Sequence, residues 1–276
     1  MFPPGSAWTY LKLFASPPAV DRILVEELAP LMADLEASGA VDRWFFVRYD
    51  QPDFHLRVRC RGGPVVRQTL EAASARLLDR RLVWQAELGT YVRELERYGG
   101  AEAIEHAEAV FHADSAAVVE LLGGGNTAGA GAASDLRWQL ALYGAHVLLL
   151  DLGIDRVARY DIVRSSRDAL ADEYGLSRRE AGNIGSRFRQ ERQVLAALVC
   201  GDVPAAGRVF ERRSQAVRAS AEGLKRLERA AALTRPRQEI AASLVHMHLN
   251  RFLRSRHREQ ELVILEFLSR LYRAEL

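Results

Sequence analysis

The chain has 276 residues, of which 49% are hydrophobic and 27% are charged, and its formal net charge at pH 7 is +2. This composition is ordinary for a globular protein with a sizeable core, arranged as one large domain or two small ones. Lysine occurs only at Lys12 and Lys225, so arginine dominates the basic residues. Because acidic residues are interspersed with the arginines and no concentrated basic stripe exists, nucleic acid is not expected to be the main ligand.

Cysteine usage and the N-terminal segment limit the class of protein further. Cys60 and Cys200 are far apart and lack CxxC or Cys/His spacing, which argues against a metal site and a disulfide framework. We expect both to be buried, reduced thiols in a cytoplasmic protein. The N-terminal segment has neither a basic n-region nor an apolar h-region, and no apolar run is long enough to span a bilayer. Neither secretion nor membrane insertion is indicated.

The first third of the chain predicts alternating strands and helices. Strand-like patterns occur at residues 7–14, 43–49, 54–60 and 82–88. Helical patterns separate them at residues 19–38 and from Pro64 to about Arg80. The second and third strands are joined by a short turn that contains Pro52 and therefore form a hairpin. The order β-α-β-β-α-β predicts a ferredoxin-like unit with helices on one sheet face and the other face free for a ligand.

From Ala101 onward the pattern becomes helical, with segments at residues 101–122, 135–152, 155–173, 177–200, 204–233 and 237–273. The Gly- and Ala-rich stretch from Gly123 to Ala133 predicts a loop, which composition makes a candidate lid. We therefore predict an α+β fold. In it, a ferredoxin-like unit of residues 1–100 packs with a mostly helical region of residues 101–276 as one integrated domain.

The third predicted strand carries basic residues at alternating positions. His55, Arg57 and Arg59 would share one face, while the apolar residues between them enter the core. A permanently charged guanidinium matches a carboxylate or phosphate, so this face predicts an anion site. For an isolated pair of arginines, a solvated sheet face is the commoner explanation.

Two later segments carry further candidate residues. Arg97 and Tyr98 precede a double glycine and indicate either a second anion clamp with an aromatic wall or an exposed ion pair before a hinge. His246 and Asn250 are four residues apart and share a helix face. A lone helical histidine is usually structural, but His246 is the best candidate for a general acid or base, with Asn250 or Arg251 to orient it.

The segment from Phe111 to Ser115 predicts a helix boundary, at which Asp114 or Ser115 caps the following helix. Ser115 has no neighbouring base in the sequence, so a serine hydrolase is unsupported. The sequence contains no GxSxG motif, P-loop or dinucleotide-binding fingerprint.

Taken in order and spacing, these segments resemble the C-terminal, elimination-type domain of class I lanthipeptide dehydratases, which also occurs alone in thiopeptide pathways. The resemblance extends from Trp8 to the last helix. The matching segments are Trp44–Tyr49, Pro52, His55–Arg59, Glu96–Gly100, Phe111, Asp114–Ser115, His246–Met247 and Asn250–Arg251. The resemblance implies a lyase that expels glutamate from O-glutamylated serine or threonine of a ribosomal precursor peptide, leaving dehydroalanine or dehydrobutyrine. It implies no cofactor and no metal.

The resemblance also implies residue roles and partners. Arg57 and Arg97 carry over as clamps for the leaving glutamate, and His246 carries over as the proton-transfer residue. The supporting, substrate-binding residues are Arg48, His55, Arg59, Tyr98, Asn250 and Arg251. The chain lacks room for the large glutamylation region, which implies a separate glutamyl-tRNA-dependent glutamylation protein as partner. No direct contact with nucleic acid or membrane is implied, and a homodimer is left open.

Two alternative functions are compatible with the sequence. The first is a pyridine synthase of the same superfamily, which joins two dehydroalanines by a formal aza-[4+2] reaction and releases the leader peptide. Such an enzyme binds no glutamate, so Arg57, Arg97 and His246 together favour elimination. The second alternative is a non-catalytic module that captures a leader peptide by adding it to a free edge strand.

Overall fold

A computed structural model describes residues 1–124, 130–203 and 206–276 of the chain. Four strands form one antiparallel sheet in the order β2-β3-β1-β4. The strands are β1 (Trp8–Phe14), β2 (Val41–Tyr49), β3 (His55–Gly62) and β4 (Gln85–Gly89). The strands β2 and β4 therefore lie at the two edges.

Helices cover one face of this sheet. Between β1 and β2 the chain forms α1 (Pro17–Arg22), a π-helical segment (Ile23–Leu28) and α2 (Ala29–Ala37), and α3 (Pro64–Asp79) joins β3 to β4. The observed order of strands and helices is the β-α-β-β-α-β order that the sequence predicts. On the covered face Leu56, Val58 and Cys60 are fully buried, and the Cys60 sulfur lies 3.7 Å from the Met32 sulfur of α2.

The rest of the described chain is helical. The helices are α4 (Ala103–Gly124), α5 (Ala130–Asp151), α6 (Arg156–Tyr174), α7 (Arg178–Val199), α8 (Gly207–Arg229), α9 (Arg237–Phe252) and α10 (His257–Glu275). The predicted loop from Gly123 to Ala133 is only partly covered by this description. Residues 123–124 and 130–133, at its two ends, are helical. Residues 125–129 of this candidate lid lie outside the described residues.

Two sequence predictions in the helical region were wrong. Residues 237–273 do not form one helix, because Leu253 is extended and Arg256 adopts a left-handed conformation (φ 49°), which separates α9 from α10. The segment from Phe111 to Ser115 is not a helix boundary either, because it lies inside α4. Its polar residues make tertiary hydrogen bonds in place of a cap.

Asp114 is the centre of a buried charge network that joins three helices. Its Oδ1 atom accepts from Arg213 of α8 (3.0 Å) and faces Nδ1 of His248 of α9 (2.7 Å). Its Oδ2 atom accepts from Nη1 of Arg251, also on α9, at 3.1 Å. All four side chains are buried. Burial alone would raise the pKa of the Asp114 carboxyl, but His248 and the two guanidinium groups outweigh it and hold this pKa far below its ordinary value.

Side chains of α4 and α9 close the outer edge of β2. The Phe46 amide donates to Ser115 Oγ (3.3 Å), and the Phe46 carbonyl accepts from Arg251 Nε (3.0 Å). Asn250 pairs with both backbone groups of Arg48, at 2.9 Å each. These contacts satisfy backbone groups that an edge strand would otherwise leave unpaired.

The two cysteines differ in environment. Cys60 is buried, as predicted, and burial raises the pKa of its thiol. Cys200 is exposed, which corrects the expectation that both thiols are buried, because this residue follows the C-terminus of α7 at the protein surface. Among the described residues, no helix combines the length and the apolar character needed to cross a membrane.

We expect Asp114→Asn to lower the free energy of unfolding by about 3–5 kcal/mol, because it removes the counter-charge of the buried Arg251 and the nearer of the two carboxylates that face the buried Arg213. Urea unfolding followed by circular dichroism measures this change. The matched control is Glu120→Gln on the same helix, which removes an exposed ion pair with Arg212 and should cost less than about 1 kcal/mol. Equal losses in the two variants would contradict a central role for Asp114.

Candidate functional site

The uncovered face of the sheet is organised in rows that run across the strands. In one row Val47 of β2, Arg57 of β3 and Lys12 of β1 lie side by side. In the next row Phe45, Arg59 and Tyr10 do the same. In an antiparallel sheet paired residues share a face, so the strand-like spacing of the sequence does bring His55, Arg57 and Arg59 together.

His55 and Arg57 form a coupled pair. The Arg57 Nε–H donates to His55 Nε2 (2.9 Å), and His55 Nδ1 lies 2.7 Å from the Asp53 carbonyl oxygen. His55 is therefore neutral, with its proton on Nδ1. Burial is the main cause of the lowered pKa of His55, and the positive charge of Arg57 adds to it. The guanidinium of Arg57 also lies 3.5 Å from the centre of the Tyr49 ring.

Arg59 is held in an aromatic box. Its guanidinium carbon lies 4.8 Å from the ring centres of Tyr10 and Tyr91 and 5.4 Å from that of Phe45. Burial lowers the pKa of Arg59, and its Nε atom is buried with no hydrogen-bond partner in the described structure. Gly89 makes room for the box, because a Cβ at this position would lie 3.0 Å from Cδ1 of Tyr10.

In the described part of the chain, neither Arg57 nor Arg59 forms an ion pair with a carboxylate. Other arginines of the same region are paired: Arg61 binds Asp42 (2.7 Å), and Arg93 binds Glu108 (2.6 Å). Charges that lack a counter-ion in a partly desolvated position are costly unless a ligand supplies one. Arg57 and Arg59 thus define a cationic face suited to an anion.

The sheet face is not free along its whole length, which corrects the prediction of an open face. At one end α4 packs on it, with Phe111 against Phe45 (ring centres 5.2 Å apart), and Trp8 and Phe45 are buried. Arg43 of β2 donates to Glu105 of α4 at 2.9 Å. The accessible part is the row that contains Lys12 and Arg57, together with one side of Arg59.

Arg97 and Tyr98 lie next to this face. Arg97 pairs with Glu94 (3.0 Å), and its guanidinium carbon lies 5.5 Å from the centre of the Tyr98 ring. Burial alone would lower the pKa of Arg97. Tyr98 and the carboxylates of Glu94 and Glu261 outweigh burial and raise it. Tyr98 is buried against Phe111, and burial raises the pKa of its hydroxyl to about 12.

His246 is paired with a carboxylate that sequence reasoning missed. Its Nδ1 atom lies 2.9 Å from Oε2 and 3.0 Å from Oε1 of Glu261, a residue of α10. Glu261 is buried, whereas the His246 side chain is 24% exposed, so solvent reaches the imidazole. His246 and Glu261 lie on different helices, so no helical spacing in the sequence relates them. A break between α9 and α10, which no glycine or proline signals, brings them together.

Three sequence-predicted residues form hydrogen bonds with the protein framework. Arg48 is buried, with its Nη2 atom 2.6 Å from Asp21 Oδ1 and its Nε–H donating to the Arg251 carbonyl. Asn250 and Arg251 hydrogen-bond the backbone of β2, as described above. All three residues therefore help to hold β2 in place, while Arg48 Nη1 and Arg251 Nη2 are buried without a hydrogen-bond partner in the described structure. Their substrate-binding role stays a prediction.

The remaining residues can act together chemically. The guanidinium groups of Arg57 and Arg59 can bind a carboxylate, and Arg97 adds a third cation at the border of the face. An imidazole whose Nδ1 is held by a carboxylate has its Nε2 free to transfer a proton. The Glu261 carboxylate lies beside His246 and is also one of the negative charges that raise the pKa of Arg97.

We expect NMR spectra of His55 to show the neutral tautomer with the proton on Nδ1 at pH 7. Its folded-state pKa is depressed, so the stability that this contact contributes is present above the unfolded-state value of about 6.5 and is lost as pH falls through the folded-state pKa. Long-range ¹H–¹⁵N correlation spectra recorded from about pH 4 to about pH 8 measure the tautomer and the pKa of His55. A proton on Nε2 at pH 7 would contradict the contact with Arg57.

Comparison with known proteins identifies related sequences. The family model described as "lantibiotic biosynthesis dehydratase C-term" matches residues 8–272. The subtilin biosynthesis protein SpaB of Bacillus subtilis is 32% identical over 123 residues, and the nisin biosynthesis protein NisB of Lactococcus lactis is 31% identical over 121 residues. Each match covers 43% of this chain and only 12% of the relative.

Solved structures share the fold. The tRNA-dependent lantibiotic dehydratase MibB from Microbispora superposes with a TM-score of 0.74 at 24% identity, covering 96% of this chain and 28% of MibB. The pyridine synthase TbtD from thiomuracin biosynthesis superposes with a TM-score of 0.70 at 14% identity, covering 98% of both chains. At these identities the likeness establishes a common architecture.

Proposed function

Since the chain belongs to the family of lantibiotic biosynthesis dehydratase C-terminal domains, we propose that it eliminates glutamate from an O-glutamylated peptide. The substrate would be a ribosomal precursor peptide in which serine or threonine carries a glutamyl ester. The products would be free glutamate and a peptide with dehydroalanine or dehydrobutyrine. The chain would then act as the lyase component of a split dehydratase.

The observation that carries this proposal is that Arg57 and Arg59 lack a carboxylate partner in the described structure, whereas Lys12 in the same row as Arg57 pairs with Glu87 (3.0 Å). Elimination turns an ester oxygen into a carboxylate, so negative charge develops on the leaving group as the bond breaks. Groups placed where charge develops accelerate such a step. Arg57 and Arg59 have no carboxylate partner in the described structure, and a leaving glutamate would supply one.

The reaction balances without an added reagent. A base removes the proton from the α-carbon, the electron pair forms the Cα=Cβ double bond, and the Cβ–O bond breaks to release glutamate as a carboxylate. In this scheme Arg57 and Arg97 bind the leaving glutamate and His246 transfers a proton. The aromatic box would fix the direction of Arg59, and Tyr98 would form a wall beside it.

The pair of His246 and Glu261 supports a role in proton transfer. A carboxylate that holds Nδ1 of an imidazole fixes its tautomer and stabilises the imidazolium that forms when Nε2 accepts a proton. The geometry is compatible with removal of the α-proton by His246 and with return of a proton to the leaving group. The pH profile of kcat distinguishes whether His246 acts as the base, as the acid, or as both in turn.

The proposal has consequences for organisation and partners. We assign residues 1–100 to a ferredoxin-like unit, supported by the strand order β2-β3-β1-β4, and residues 101–276 to a helical region integrated with it. The precursor peptide is the substrate, and a separate glutamylation protein would supply its glutamyl ester.

The second candidate function is that of a pyridine synthase. It is favoured by one observation: TbtD, described as a pyridine synthase, matches this chain over 98% of both lengths. That reaction expels no glutamate, however, and would leave the cationic face without a use. We therefore rank elimination first.

We expect the purified protein to convert a synthetic peptide with O-glutamylserine into a dehydroalanine peptide, with stoichiometric release of glutamate, as measured by mass spectrometry. Arg57→Ala, Arg97→Ala and His246→Ala should each lower the rate by at least about 100-fold, because each removes charge stabilisation or proton transfer. The control is Arg212→Ala, which removes an exposed ion pair with Glu120. Arg212 is far in sequence from the strands of the sheet, and this variant should keep the full rate.

The two candidate functions give different products in this assay. An inert glutamyl peptide, together with leader release from a peptide with two dehydroalanines, would reject elimination in favour of pyridine formation. Peptide binding with neither reaction would point to a non-catalytic module.

We expect Glu261→Gln to lower kcat by at least about tenfold with little change in KM and to alter the pH dependence of kcat, because the amide holds His246 without stabilising its charged form. Glu261→Asp should restore part of the activity. The control is Glu266→Gln on the same helix, which loses an ion pair with Arg270. An unchanged pH profile in Glu261→Gln would remove Glu261 from the mechanism.

A further inference from the structure

The two edges of the sheet differ in whether their outward backbone groups have hydrogen-bond partners. The outer edge of β2 is closed by Ser115, Asn250 and Arg251, which occupy its backbone hydrogen-bonding groups. The other edge is β4, which pairs only with β1 among the described strands. Within the described residues, β4 is therefore the edge at which a peptide in extended form can add to this sheet.

The hydrogen-bond pattern identifies which backbone groups of β4 point outward. The pairs Ala15 with Phe54 and Ala7 with Gly62 bond across β1 and β3, so the odd-numbered residues of β1 direct their backbone groups toward β3. The even-numbered residues of β1 then face β4, where their partners are Gln85, Glu87 and Gly89.

It follows by alternation that the N–H and C=O groups of Ala86, Leu88 and Thr90 point away from the sheet. In the described structure none of these groups has a hydrogen-bond partner. Natural edge strands are usually protected by proline, bulges or a covering segment. Between Gln85 and Gly89 there is no proline, and both flanking apolar residues, Trp84 and Val92, are more than half exposed.

We infer that the outer edge of β4 binds an extended segment of the peptide substrate by β-augmentation. The inference rests on the proposed function for the class of ligand, a peptide, and adds the place at which that peptide is held. The added strand would pair its backbone with Ala86, Leu88 and Thr90, and its ends would meet the exposed side chains of Trp84 and Val92.

The position of β4 relative to the arginines fits such a role. Glu87 lies in the row of Arg57, and Gly89 lies in the row of Arg59, on the same sheet face. Neighbouring strands lie about 4.8 Å apart, so an added strand would lie roughly 14 Å from β3. About four or five extended residues span that distance. The bound segment is therefore a recognition segment that flanks the modified residue.

The register favours a substrate peptide over a second copy of this chain. If two β4 edges paired antiparallel with Ala86 opposite Leu88, the Glu87 carboxylates of the two copies would lie directly opposite each other. Like charges in directly opposed positions destabilise a sheet. A flexible peptide avoids this conflict by its choice of sequence and register.

The test exploits the two-residue period of a β-ladder. The probe is the O-glutamylserine peptide of the elimination assay, extended on both sides of the serine and labelled for fluorescence anisotropy. N-methylation of one backbone amide at a time should weaken binding at alternate residues of the flanking segment, by about tenfold or more, and leave the residues between them unaffected. Uniform sensitivity, or none, would overturn the inference.

A variant of the protein gives an independent measurement. Ala86→Pro removes an outward N–H that the ladder does not use, so the fold should persist, as unfolding by heat would verify. We expect the KM of the extended peptide to rise by about tenfold with kcat unchanged. Arg212→Ala, the control of the elimination assay, lies outside β4 and should keep the KM of the parent protein. If Ala86→Pro does not fold, the N-methyl series decides alone.

The outcomes separate this inference from the proposed function. An inert glutamyl peptide that still binds with alternating sensitivity to N-methylation would reject elimination and support the edge inference. Full binding by a folded Ala86→Pro would overturn the edge inference while elimination stands. A change from dimer to monomer in Ala86→Pro on sedimentation, with peptide binding unchanged, would make β4 a contact between copies and also overturn it.

Discussion

The structure depends on how the helical region satisfies the outer edge of β2. An edge strand presents amide and carbonyl groups that need partners, and here Ser115, Asn250 and Arg251 provide them. Arg251 can do so only because Asp114 holds its guanidinium, and Asp114 in turn is fixed by Arg213 and His248. One buried carboxylate thus orients the groups that attach the sheet to α9. The same helix carries His246, so the attachment also sets the position of this imidazole relative to Arg57.

The buried arginines of the framework and the arginines of the accessible sheet face differ in their surroundings. Those that bind the framework, such as Arg48 and Arg213, are buried and meet carboxylates or carbonyl oxygens. Those on the accessible part of the sheet meet aromatic rings and an imidazole instead. Aromatic rings orient a guanidinium without neutralising it. This difference separates groups that maintain the fold from groups that remain available to a ligand, although the residue type is the same.

Sequence reasoning succeeded where the physical signal is local. The alternation of Leu56 and Val58 with Arg57 predicts both the strand and the direction of its side chains, and the structure confirms them. It failed where the partner is distant. Asn250 bonds the backbone of Arg48 across 202 positions, and a backbone group leaves no pattern in the sequence. Glu261 was missed for a related reason. The break between α9 and α10, which contains the left-handed Arg256, has no glycine that would signal it in the sequence. Asp114 was predicted to cap a helix because aspartate is common at that position. It lies instead inside α4, where it is buried and binds two arginines.

The distance in sequence between β2 and α9 has a consequence for synthesis on the ribosome. The β2–β3 hairpin leaves the ribosome long before Asn250 and Arg251 are made, and at bacterial elongation rates the interval is on the order of ten seconds. During that time the outer edge of β2 lacks the side chains of α9 that cover it in the described structure. An uncovered edge can pair with a strand of a neighbouring nascent chain, so cover of this edge before α9 is made would protect the hairpin from misassembly.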